Sequence, residues 1–303
     1  MKVFFSIFIA LLLGPAIMAQ DYVFSTLAVN GTCMIQRGDN PDEFVRVEKG
    51  IKVYIHDKII VTGADSYIGL VAISGKVTEI KSSGVFASED LVASLVKGDA
   101  SLANDYTQVL TANVSSTKYD QAQYNMYTGT SVNRSVENNE IELFLPVKTK
   151  VSDNPSTISW MSKKTINSFK VSITNLYEEE VYTSTTSEHN LAIDFSSIEL
   201  FPGQVYRITV ADAGNTANKS NEVALHIPTR SDMEKYQTDL SMLQNEVPEN
   251  SAIGDMVFAT YFEEQGLFLQ AIPYYKSAIE KEPKILEYKH AYDVFLYKVG
   301  LEK

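Results

Sequence analysis

The sequence predicts a modular chain: a small all-β domain, then a β-sandwich, then an all-α tail. Three observations carry this. Lys49–Ile80 alternates apolar and polar residues and is cut by Gly50, Gly63, Gly69 and Gly75, which is the period of short strands separated by turns. Ile141–Pro228 holds about seven short alternating segments with turn residues every eight to twelve positions, the pattern of a sandwich. From Ser231 the period changes to that of helices. At 303 residues the chain exceeds one typical domain.

Met1–Ala19 reads as a secretory signal. Lys2 is its positive start, Val3–Leu13 is apolar apart from Ser6, Gly14 and Pro15 break the run, and Ala19 is a small residue for cleavage. The alternative, an anchoring helix, is disfavoured because the run falls short of the roughly 20 residues that span a bilayer. The expected mature chain starts at Gln20, contains no further spanning segment and is periplasmic or secreted. A hydrophobic content of 45% is globular, and the formal net charge of −12 disfavours nucleic acid, whose phosphates demand Lys and Arg clusters. Cys33 is the only cysteine, so no internal disulfide forms and a buried, inert thiol is expected.

Residues 20–86 form the first domain. Ala28–Thr32 is read as a strand entering a turn, Gly38–Asp42 as a hairpin loop, and Phe44–Val47 as a returning strand. In the glycine-punctuated stretch, Ile51, Val53 and Ile55 share a face, as do Ile59 and Val61, and Ile68, Leu70 and Ala72. Thr62–Ser66 and Ser74-Gly75 are read as turns of a meander. The order Lys49-Gly50, strand, Asp57-Lys58-Ile59, Thr62-Gly63, Ser66, strand, Gly75, strand resembles the ferric-citrate regulator (FecR-like) domain over roughly Ala28–Val85. Full-length regulators of that family work through a membrane helix and a cytoplasmic anti-sigma segment. Neither is expected here, so transcriptional signalling is not carried over.

Residues 87–139 are read as a helix and a polar linker. Ser88 is the expected cap, with Glu89 and Asp90 at the positive end of the helix. Leu91, Leu95 and Val96, then Leu102, Tyr106, Val109 and Leu110, keep helical spacing on either side of Gly98. Thr111–Glu140, rich in Ser, Asn, Thr, Gln and Tyr, is expected to be an irregular connection.

Residues 140–228 form the second domain. Strands are expected around Ile141–Leu145, Thr157–Met161, Phe169–Ile173, Val181–Thr183, Leu191–Ile193, Val205–Val210 and Val223–Ile227. Asn175–Glu180 is an acidic turn and Asp212–Asn221 a hairpin loop. The Trp160 strand and the run Leu200-Phe201-Pro202-Gly203-Gln204-Val205-Tyr206 resemble a fibronectin type III or immunoglobulin-like module. That resemblance implies a tyrosine-corner role for Tyr206, and the lack of a disulfide fits the fibronectin type.

Residues 229–303 form the tail. Met233, Tyr236, Leu240 and Leu243 mark one helix, and Val257, Phe258, Tyr261 and Phe262 a second. Phe268, Ala271, Ile272, Tyr275, Ala278 and Ile279 mark a third, and Leu286–Val299 a fourth. Ala252–Ile285 resembles one tetratricopeptide repeat through Ala259, Phe262, Gly266, Ala271, Tyr275, Ala278 and Pro283, although Asp255 stands where the family has an early tryptophan. One repeat cannot cover its own apolar face. The sandwich, another copy or a partner must therefore cover it, and Phe258, Phe262, Phe268, Tyr274 and Tyr275 are the candidate partner surface. Pro273 is placed near the start of its helix, where a missing amide is cheap.

No catalytic constellation stands out. His56, His189, His226 and His290 have no paired spacing for zinc. Asp39, Asp42 and Glu43 do not match a calcium loop, and Glu178–Glu180 reads as a solvated turn. No phosphate-binding glycine loop or nucleophile elbow is present, and no cofactor is expected. The expectation is a non-enzymatic scaffold or adaptor of the bacterial cell envelope that binds protein partners. The alternative is a surface protein binding carbohydrate or peptidoglycan through sandwich loops and exposed tyrosines.

Overall fold

The computed structural model describes residues 22–95, 102–115, 139–146, 148–153 and 155–301. The expected signal segment, Val96, Gly98 and positions 116–138 of the expected linker lie outside the described residues.

Two long antiparallel strands, β1 (Tyr22–Gln36) and β4 (Lys58–Ala72), organise the first domain. The outer side of β1 pairs with β2 (Phe44–Arg46) and β3 (Lys52–Tyr54), and that of β4 with β5 (Val77–Ile80) and β6 (Gly84–Ala87). The turns expected at Gly31 and at Thr62–Ser66 are not reversals. Both strands run on through these points, and the register shifts so that Asn30 faces Tyr67 while Thr32 faces Thr62. The polar, glycine-bearing residues thus make a bulged corner that bends the pair without ending it. Gly31 needs its freedom there: its φ is +87°, and a Cβ would lie 2.3 Å from Ser66 Oγ. The bend folds Phe24, Cys33, Ile35, Val53, Ile59, Val61, Ile68 and Leu70 around one core. Asp57, 2% exposed, ties the chain after β1 to the end of β3 by accepting from Arg37 Nη1 (2.7 Å), Gly38 N (3.0 Å) and Tyr54 N (2.8 Å).

Helix α1 covers Ser88–Ser94 and α2 covers Leu102–Ser115. Ser88 is not the cap: that position is Ala87, and the Ser88 hydroxyl donates instead to Ile55 C=O at 3.0 Å, buried against the sheet. The expected linker also gives up Thr111–Ser115 to α2, where Val114 is buried. Its tertiary contacts outweigh the indifferent propensity of that polar sequence.

The second domain packs two sheets. One has the order β12-β9-β7, from Asn190–Ile193, Ser156–Ser162 and Ile141–Leu143. The other has the order β11-β10-β13-β15-β8, from Glu180–Thr186, Phe169–Thr174, Val205–Asp212, Val223–His226 and Lys148–Lys150, and β14 (Asn215–Lys219) also pairs with β13. Two of these strands were not foreseen. β8 is three polar residues, and β14 lies inside the stretch expected to be loop; neither alternates enough to signal a strand. Ile158, Trp160, Phe169, Val171, Ile173, Ile208, Val210 and Leu225 fill the space between the sheets. Trp160 meets Phe169 edge to face at 5.5 Å. The Tyr206 hydroxyl accepts from Phe201 N at 3.0 Å, which closes a tyrosine corner.

The tail is four helices: α3 (Arg230–Glu246), α4 (Ala252–Gln265), α5 (Phe268–Lys281) and α6 (Leu286–Lys298). Thr229 and Asp232 form a reciprocal capping box on α3, and Ser251 caps α4. Gly266, at φ +74°, turns α4 into α5. Ala259, Ala271 and Ala278 are fully buried, as small residues at a helix–helix contact must be. Pro273 lies further inside α5 than expected, beyond the first turn, on an exposed face.

Candidate functional site

The helical tail does not hang free. Its core is continuous with the first domain and α2. Leu27, Ala28, Tyr67 and Val77 of the β domain, and Ala103, Tyr106, Leu110 and Val114 of α2, share one apolar cluster with Ile253, Val257, Tyr261, Tyr275, Tyr288 and Phe295. The apolar face that one helical hairpin leaves uncovered is therefore closed largely by the chain's own N-terminal half.

Polar ties fix this contact. The Tyr67 hydroxyl donates to Glu79 Oε2 at 3.0 Å, which leaves its oxygen to accept from the Tyr288 hydroxyl at 2.6 Å. Glu79 also faces Ile253 N at 3.5 Å, at the amino end of α4. Lys81 bridges Glu79 (2.7 Å) and Glu282 (3.1 Å). Burial is the main force holding the Tyr67 and Tyr288 phenols protonated, well above their ordinary range. Gly75 lies so close to α2 that a Cβ would sit 2.1 Å from Asn104 Cα.

The same hairpin also holds the sandwich. Lys150 N on β8 donates to Gly266 C=O at 3.1 Å. Gln270 Nε2 on α5 donates to Ser152 Oγ (3.1 Å) and Ser156 Oγ (3.0 Å), and Leu269 enters the sandwich core. The α4–α5 hairpin is thus a bracket gripping both β domains.

The candidate partner residues divide in this setting. Tyr275 is fully buried and donates to Glu263 Oε2 at 2.6 Å, and Glu263 also takes Lys298 Nζ at 2.9 Å. Phe262 is 4% exposed. Both are interior: α6 sets Tyr292 and Phe295 against Tyr275, at 5.4 and 5.1 Å, and Phe262 packs on Tyr261 and Tyr274 of its own hairpin. Phe258, Phe268 and Tyr274 are half-buried. Tyr274 stacks between Phe258 and Phe262, 5.3 Å from each, and Phe268 leans on Phe295. The residues that make the bracket, Tyr67, Glu79, Lys150, Gln270 and Tyr288, were not singled out. Tyr288 alone left a signal, through its spacing with Ala291 and Phe295 on one buried face.

In the sandwich domain a cleft of about 180 Å3 opens between Val151–Asp153, Phe195, Ser196, Ile198 and Leu200. It is smaller than the roughly 300 Å3 at which ligand pockets begin. The β10–β11 turn carries Leu176 and Tyr177, 54% and 86% exposed, beside Glu178 and Glu179. Among the described residues no group of three or more His, Cys, Asp or Glu could hold a metal ion. No helix among them is long and apolar enough to cross a membrane.

No family model matches the chain, and no curated protein does. Solved structures with similar stretches include a biofilm-associated protein BSP domain (15% identity, TM-score 0.23, 55% of this chain and 28% of that one). Others are the chicken CNTN1 FN1–FN3 domains (11%, TM-score 0.21, 69% and 57%) and a two-domain fibronectin type III segment of chicken tenascin (13%, TM-score 0.20, 67% and 92%). The chain spans less than two thirds of the first two of these structures.

Proposed function

We propose that this is an exported, non-enzymatic scaffold of the bacterial cell envelope that binds protein partners. In this reading a FecR-like β domain and a fibronectin-like sandwich are held at fixed separation by a tetratricopeptide-like hairpin. The observation that carries it is the bracket: α6 is bonded to the first β domain through Tyr288, and the α4–α5 hairpin it packs on is bonded to the sandwich through Gln270 and Gly266. Buried carboxylates serve the same end. Asp57 ties strands, Glu263 ties α4 to α5 and α6, and Asp239 takes Lys235 within α3. The half-buried Phe258, Phe268 and Tyr274 are the apolar groups of this unit through which a partner is engaged.

The test is cross-linking of the full chain in envelopes, with mass spectrometry of the captured proteins. A defined set of partners, reduced by Tyr274→Ala in a chain that keeps its circular dichroism, is expected. Capture unchanged by that variant removes the hairpin as the partner surface. The carbohydrate alternative draws on the exposed Tyr177 turn, and specific signal on a glycan array would favour it.

A further inference from the structure

Sheet edges carry rows of unpaired backbone groups, and proteins blunt them by shortness, charge, proline or cover. Most edges here are guarded. In the first domain β2, β3, β5 and β6 have only three or four residues each, and so do β7 and β12 in the sandwich. β8 is covered by the hairpin turn through the Lys150–Gly266 bond. β14 has five residues and ends in Lys219.

β11 is different. It has seven residues and forms the outer edge of the larger sheet, with β10 as its partner among the described strands. Val181–Thr186 contains no charge, proline or glycine. Its single charge, Glu180, is engaged inside the chain by Lys170 Nζ at 2.5 Å and Ser172 Oγ at 3.1 Å.

We propose that β11 is a self-association edge: two copies of this chain pair antiparallel through β11 about a two-fold axis at Thr183, joining two sandwiches into one continuous sheet. The strand is complementary to itself in that register. Val181 faces Thr185, Tyr182 faces Ser184 and Glu180 faces Thr186, so no like charges within the strand meet, and β-branched residues pair across the axis. Thr183 is the centre of the seven residues, so this register pairs the strand over its whole length. A two-fold contact of this kind closes at the dimer. A second copy is favoured over a foreign strand because β11 offers no unpaired charge with which to select one.

The test uses the full mature chain carrying Thr183→Cys. Cys33 is buried, so the new thiol is the accessible one, and across the axis its Cβ meets its counterpart at about 5 Å. Light scattering after gel filtration is expected to show a concentration-dependent dimer for the parent chain. Mild oxidation should give a disulfide-linked dimer for Thr183→Cys and not for Thr238→Cys, on the exposed face of α3. Thr183→Lys should be monomeric with unchanged Trp160 emission. A parent chain that stays monomeric throughout the micromolar range, with no cross-link formed by the Thr183→Cys variant, overturns the proposal, whatever foreign strand binds there. A dimer that survives Thr183→Lys overturns it too. If the lysine variant does not fold, the paired cysteine variants decide.

Discussion

The hydroxyl groups of Tyr67 and Tyr288 lie 2.6 Å apart, although 221 residues separate them in sequence. One belongs to the corner of the first β domain and the other to the last helix. Their rings meet edge to face at 6.1 Å, and both are buried. Tyr288→Phe removes one hydrogen bond and leaves Tyr67 its bond to Glu79. The expected loss is about 1 kcal/mol. Tyr288→Ala also opens a cavity and should cost about 3–5 kcal/mol. Urea denaturation followed by circular dichroism measures both, and equal effects of the two variants would show that the ring is not packed.

Trp160 is the only tryptophan and is 2% exposed, so its emission reports on the sandwich core. The native spectrum should be that of an apolar environment. Trp160→Ala should destabilise the sandwich by about 3–5 kcal/mol. An emission typical of solvated indole in the folded parent chain would refute this packing.

Asp57→Ala takes the carboxylate from Arg37, which is 16% exposed and keeps its bond to Lys52 C=O, and frees the amides of Gly38 and Tyr54. Breaking such a pair from one side costs about 3–5 kcal/mol. The check is a thermal melt of Asp57→Ala beside Asp57→Asn, which keeps one acceptor and should fall between. A melting temperature for the alanine variant equal to the parent's would contradict the role given to Asp57.

Alkali should unfold the chain earlier than solvated tyrosines alone would require. Burial raises Tyr67, Tyr275 and Tyr288 above their ordinary range, so the folded state holds these protons more tightly than the unfolded state. Their contribution is full below the unfolded value of about 10 and is lost as pH rises beyond it. Tyrosinate absorbance should therefore show a late fraction appearing together with loss of helical dichroism. A single early titration of all tyrosines in a folded chain would contradict it.

Period and turn chemistry made much of this fold legible. The alternation around Trp160, Phe169–Ile173 and Val205–Val210 marked sandwich strands, and Tyr206 marked its corner. The helical spacing of Ala259, Ala271 and Ala278 marked a hairpin that the structure contains. Glycine and polar residues at 62–66 misled, because a bulged corner and a turn use the same residue types and differ only in which strand lies opposite. Lys148–Lys150 became a strand through its long-range partner β15, which local pattern does not encode. The candidate site was read in part. Aromatic content at Phe258–Tyr275 announced an apolar face. That Tyr275 is covered by Tyr292 and Phe295 of α6 depends on tertiary packing, which local pattern does not encode.

Two β domains bonded to one set of helices should move as a single body. Spin labels at Ser83→Cys in the first domain and Ala217→Cys on β14, both exposed positions, measure this directly by pulsed electron resonance, with the labelled chain diluted into unlabelled chain so that only distances within one molecule are read. One narrow distance distribution is expected, broadened when Leu269→Asp and Gln270→Ala release the sandwich from α5. A broad or multiple distribution in the parent chain, unaltered by those substitutions, would contradict it.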